Sequence, residues 1–265
     1  SFTIEIKFMK AIKTIFTLLI LTILTSSCNK DFDDLTENII LTDTIIDENV
    51  EHKWWILTHR SYEAPGIYLY NETTLEVELK LDLPENLESP HALAYDGESL
   101  WIGGVGQNES IYQLNPENGA IISEITNIQT EGIALLNEYV FYSNDKIINK
   151  IEKNGTLVEE ITTKNSSYNI PDIAIDGNTL YYLRYSEKEP VIKLSLSNKN
   201  ESRIPLSETT GTYCLTISNN EIITINPFNE IIRFDLRTGE YISTNATIIK
   251  GWITAIAPYD IKDEN

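Results

Sequence analysis

Five residue positions recur at intervals close to 40 and carry groups able to do chemistry: His91, Glu131, Asp172, Tyr213 and Trp252. A histidine beside two carboxylates can ligate a divalent cation or move protons as general acid and base. A tyrosine and a tryptophan beside them offer flat faces for stacking. His59, Arg60, Arg184 and Asn226 fall in the loops next to these positions. The same spacing also fits polar residues that only satisfy water in a wet channel, so the spacing leaves a site and a solvated channel both open. The chain has three histidines, at 52, 59 and 91, which argues against a multi-histidine metal centre. It lacks HExxH, GxSxG, a phosphate-binding P-loop and a Gly-rich dinucleotide fingerprint. "GGVGQ" (103–107) joins two strand patterns with no helix N-terminus behind it, so it reads as a turn and not as a phosphate cradle. No cofactor is expected.

The elements that must position these residues repeat. "LAYDGESLWIGG" (93–104), "IALLNEYVFYSN" (133–144), "IAIDGNTLYYLR" (173–184) and "LTISNNEIITIN" (215–226) each read as strand, tight turn, strand. Third strands follow as "IYQLN", "INKIE", "VIKLS" and "IIRFD", then Gly-containing turns at Asn118-Gly119, Asn154-Gly155 and Thr238-Gly239, then fourth strands. Long helical periodicity is absent after residue 50. A period near 40 with four strands per unit predicts an all-β, five-bladed β-propeller of four-stranded antiparallel blades. "WWILTH" (54–59), "GIYLYN" (66–71) and "LEVELKLDL" (75–83) supply three strands without an innermost one, and "WITAIA" (252–257) is an innermost strand without followers. Pairing them closes the ring and removes both free edges. In this arrangement Trp54, Trp55, Trp101, Tyr112 and Tyr181 are packing residues, and the five recurring positions line one mouth of the central channel, with His59, Arg60 and Arg184 on its outer ring.

The front of the chain points to an address. Lys10 and Lys13 precede an uncharged run from Thr14 to Thr25, about 18 Å long as a helix and short of a bilayer core of about 30 Å. This reads as a signal peptide. "SSC" (26–28) resembles the lipobox of bacterial lipoproteins, which implies lipidation at Cys28; an ordinary cleaved signal is the other reading. "NKDFDDLTEN" after it resembles the surface-export signal of Bacteroidota lipoproteins, and a plain solvated tether fits as well. The organisation is therefore upstream residues and signal at 1–27, an acidic flexible linker at 28–50, the propeller at 51–260 and a tail at 261–265. The expected location is the cell envelope, as an outer-membrane lipoprotein with either periplasmic or surface orientation.

The whole chain carries 20 basic and 40 acidic side chains. Without residues 1–27, which hold Lys7, Lys10, Lys13 and Glu5, 17 basic and 39 acidic remain, a formal charge of −22. That surface repels phosphate backbones and anionic lipid headgroups, so nucleic acid is disfavoured as a partner and the membrane is reached through the acyl anchor. A monomer is expected. With Cys28 lipidated, Cys214 is left alone in "TYCLTI", a strand pattern, as a small buried hydrophobe or a free nucleophile.

The unit at 93–125 resembles blades of the glutamine cyclotransferase-like, NHL-like and YncE-like propellers. The glutamine cyclotransferase resemblance implies a glutamate in an "ESTG" run after a second strand, and the matching loop in this chain is Gly103-Gly104-Val105-Gly106. Lactonase-type propellers imply a divalent ion held by axial carboxylates, which Glu131 and Asp172 imitate in part. Two functions follow: a non-catalytic binding or scaffold protein taking a protein or glycan at the axial face, or a hydrolase or cyclotransferase using His91, Glu131 and Asp172.

Overall fold

The computed structural model describes residues 51–60, 63–106, 109–164, 168–184, 191–208, 211 and 214–259. The signal segment, Cys28, the acidic linker and Tyr213 lie outside the described residues.

Twenty strands form five four-stranded antiparallel sheets among these residues. Three come first: β1 (Lys53–Thr58), β2 (Gly66–Asn71) and β3 (Glu76–Leu81). Blade one is β4 (Pro90–Tyr95), β5 (Leu100–Gly104), β6 (Ser110–Leu114) and β7 (Ile121–Thr126). Blade two is β8 (Gly132–Leu136), β9 (Tyr139–Asn144), β10 (Ile147–Glu152) and β11 (Leu157–Thr162). Blade three is β12 (Ile173–Asp176), β13 (Thr179–Tyr182), β14 (Val191–Ser195) and β15 (Glu201–Ile204). Blade four is β16 (Thr216–Ser218), β17 (Glu221–Ile225), β18 (Glu230–Asp235) and β19 (Tyr241–Ala246). The last strand, β20 (Ile253–Pro258), completes the first sheet in the order β20-β1-β2-β3.

The five innermost strands β20, β4, β8, β12 and β16 neighbour one another in a ring. Crowding near the axis explains their composition. Ala94, Ala134, Ala174, Thr216 and Ala257 stand in register opposite Trp101, Phe141, Tyr181, Ile223 and Trp55 on the second strands. A small residue inside and a bulky one outside make a wedge, and wedges close a circle. Five buried apolar clusters fill the spaces between neighbouring blades. Trp54, Trp55, Trp101, Tyr112 and Tyr181 are all core.

Closure is antiparallel: Trp55 faces Ala257, Ile56 faces Ile256 and Leu57 faces Ala255, with a register shift before Thr58, which faces Ile253. The His59 N–H then donates to the Trp252 carbonyl at 2.9 Å. A second tie crosses the seam between the closing blade and blade four. Glu72, just past β2, accepts from Trp54 Nε1 at 2.7 Å, Asn245 Nδ2 at 2.7 Å, and Arg233 through Nη1 at 2.9 Å and through Nη2. Burial alone would raise its pKa, but the hydrogen bonds from Arg233 and Asn245 hold the carboxyl below its ordinary value. Arg233 also faces Glu221 at 3.3 Å.

Removing one member of a buried ion pair leaves the other charge stranded. Glu72→Ala should therefore lower the unfolding free energy in urea by about 3–5 kcal/mol, and adding Arg233→Met should recover part of the loss. Strict additivity of the two substitutions would show that the pair is not coupled.

Candidate functional site

The channel mouth is built on the closure seam. His59 directly follows β1, Trp252 immediately precedes β20, and His91 lies near the start of β4. Their rings form one group: His59 and Trp252 stack at 5.3 Å and 25°, while His91 meets both edge-on, at 5.8 Å and 6.1 Å. His59, expected on the outer ring, thus stands with the axial pair.

The supports are local and specific. Ser89 Oγ shares a hydrogen bond of 3.1 Å with His59 Nε2. Ser89 is held by its carbonyl, which accepts from the Val105 N–H at 3.0 Å. The chain passes so close that a Cβ on Gly104 would sit 2.1 Å from that carbonyl oxygen, which gives "GGVGQ" its steric reason. Trp252 is fixed from the other side by Asn229, whose Nδ2 donates to the carbonyls of Ile249 at 3.1 Å and Gly251 at 2.9 Å. The same turn displays Phe228, 83% exposed, its N–H held by Asn226 Oδ1 at 2.9 Å. Ser89 and Asn229 carry no sequence signal of their own; each lies in a loop recognisable only as lining that face.

Both imidazoles sit in a poorly solvated group. Burial pulls His91 down to about 4, with the neighbouring His59 as a second cause, and burial also lowers His59. At neutral pH these rings act as neutral stacking and hydrogen-bonding surfaces.

The remaining expected residues do not join this group. Asp172 is buried in blade packing, where Oδ1 accepts from the Ile173 N–H at 2.8 Å and Oδ2 from the Leu215 N–H at 2.7 Å. It ties blade three to the approach of β16, and burial raises its pKa well above the carboxylate range despite both bonds. A wet-channel reading of Asp172 does not describe its surroundings: a Cβ on Gly132 would come within 2.6 Å of Oδ1. Glu131 is half-buried beside Asp145; burial and then the Asp145 charge raise its pKa, against a hydrogen bond from the Asp145 N–H. Arg60 is committed to main chain, donating to Leu87 O at 2.8 Å and Pro84 O at 2.6 Å. Arg184 is buried between Tyr182 and Glu201 beside a separate cleft. Among the described residues no three His, Cys, Asp or Glu side chains gather as a metal-ligating set. Cys214 is buried, and burial raises its thiol well above the ordinary range, the state of an unreactive thiol.

No family model and no curated protein matches the chain by sequence. Solved structures do. A chain of a nidogen/laminin complex aligns over 79% of this chain and 98% of its own, at 13% identity and a TM-score of 0.56. A protein of unknown function from Bacteroides caccae aligns over 79% and 99%, at 12% identity and a TM-score of 0.53. Both likenesses carry the β-propeller architecture, and a fold of this kind hosts many activities.

Two measurements test this geometry. Asp172→Ala orphans two buried N–H donors, at about 1–3 kcal/mol each, so the domain should lose stability in urea; an unchanged midpoint would return Asp172 to open solvent. Folded His91 binds its proton less tightly than the unfolded residue, ordinarily near 6.5, so its contribution is neutral at pH 7 and destabilising as pH falls toward about 4. Between pH 6.5 and 4 the parent should therefore lose more stability than His91→Gln; equal losses would contradict the half-buried neutral imidazole.

Proposed function

We propose that this chain is a non-catalytic binding protein of the bacterial cell envelope, anchored through a lipid on Cys28 and presenting the channel mouth to a ligand. The His59–Trp252–His91 group carries this reading. Stacked aromatic and neutral heteroaromatic rings, seated on a rigid seam, favour the face of a sugar ring or of an aromatic side chain over an ion. Phe228 on the same face adds an exposed apolar contact. Glycan and protein ligands both meet these requirements; the aromatic pairing favours a glycan with uncharged ring faces. The strongly acidic remainder of the surface accords with a soluble, lipid-tethered module and not with adhesion to nucleic acid or anionic headgroups.

The chain has four tryptophans, of which Trp54, Trp55 and Trp101 are buried, so Trp252 dominates any fluorescence response to a ligand at the mouth. Titration of neutral oligosaccharides into the domain should shift the tryptophan emission saturably. Trp252→Ala should abolish binding while leaving the domain folded, and Cys28→Ser should release the full-length protein from membranes. Binding that survives Trp252→Ala, or turnover of the sugar, would replace this reading with a different site or with the hydrolase alternative.

A further inference from the structure

A cleft lies away from the channel mouth, on the outer side of blades two and three. It has a volume of about 300 Å³ and is lined by Lys164, Arg184, Ile192, Glu201, Ser202 and Arg203. Three of the 20 cationic side chains of a chain with 40 acidic ones meet there, a local reversal of the charge that dominates the molecule. Lys164 comes from just past β11, Arg184 from just past β13, and Arg203 from β15, so the cluster is assembled by packing and not by a run of basic sequence.

Arg184 is 5% exposed. Its Nη2 donates to Tyr182 Oη at 2.7 Å and to Glu201 Oε2 at 3.3 Å. Its Nε–H is buried with no acceptor among the described residues. A buried guanidinium donor without a partner is costly and calls for an oxygen. Glu201 offsets one of the three positive charges, and its other oxygen is taken by the Lys164 N–H at 2.9 Å. Among the described residues two cationic charges therefore remain in excess, facing a space at the lower end of volumes that hold small organic ligands.

We propose that this cleft binds an oxyanion group, a phosphate monoester on a larger molecule, with the Arg184 Nε–H as buried donor and Lys164 and Arg203 as its outer charge partners. A dianion matches the excess charge, and tetrahedral oxygens can meet donors converging from three strand ends at once. Ile192 gives the carrier of the group an apolar wall. The site shares no residue with the His59–Trp252–His91 group, so its failure leaves the proposed function of the channel mouth untouched.

Inorganic sulfate and phosphate are the probes, titrated by calorimetry and thermal shift against sodium chloride of equal ionic strength. The expected result is saturable binding and a raised thermal midpoint for both, with acetate weaker than either. Lys164→Ala with Arg203→Ala, both at exposed positions, should weaken binding at least tenfold while the apo midpoint stays unchanged. Arg184→Lys keeps a charge but removes the Nε donor and should weaken binding as well. Stabilisation no greater than chloride gives, or affinity unchanged in the Lys164/Arg203 double variant, would overturn the site. Acetate binding as tightly as sulfate would overturn its assignment to a tetrahedral dianion.

Discussion

A circle of blades has to close on itself, and in this chain that task falls to one six-residue strand. β20 pairs with β1 along its length, and through that pairing the innermost ring gains its fifth member. Without it, β1 would present a bare hydrogen-bonding edge at the channel, and the interfaces holding Trp54 and Trp55 would each lose a wall. The aromatic group at the mouth depends on the same strand. The hydrogen bond from His59 to Trp252 is at once the last rung of the closing ladder and the contact that brings the two stacked rings together. Architecture and candidate site thus share a cause.

Acidic residues, abundant on the surface, are also the preferred ties between blades. Glu72 binds the closing blade to blade four through Arg233 and Asn245. Asp172 binds blade three to the approach of blade four through two main-chain N–H groups. Asp96 caps its own turn, accepts from Trp101 Nε1 at 3.0 Å, and reaches Lys153 of the next blade at 3.0 Å. A carboxylate has two oxygens and several lone pairs, so one side chain can satisfy donors from two sheets at once. Such ties add direction to apolar interfaces that are otherwise non-directional.

The architecture was legible in the sequence because it rests on short-range physics repeated five times. Each small inner residue opposite a bulky second-strand residue leaves a mark at a fixed offset, and the closing blade could be recognised by the strand it lacked. The site was only partly legible, and strand periodicity explains which part failed. Counting back from the marker alanines, His91 and Glu131 are three residues before Ala94 and Ala134, whereas Asp172 is two before Ala174. One residue of offset turns a side chain to the other face of a strand. Ala92, Gly132, Asp172, Cys214 and Ala255 share the two-residue offset, and all five are buried. Asp172 belongs with these packing positions, and the residue at the three-residue offset in its blade is Pro171, which is half-buried. Contacts such as Glu72–Arg233, 161 residues apart, leave no local trace at all.

Native-state hydrogen exchange of the β20 amides tests the closing role most directly. If β20 is integral to the ring, the N–H groups of Ala255 and Ala257, which alternate onto the β1 ladder, exchange only through global unfolding, with the same free energy as those of Trp101 and Ile102 in blade one. Exchange of β20 at a markedly lower free energy, with blade one still protected, would mean that the ring stands without its last strand and that closure is not what holds the fold together.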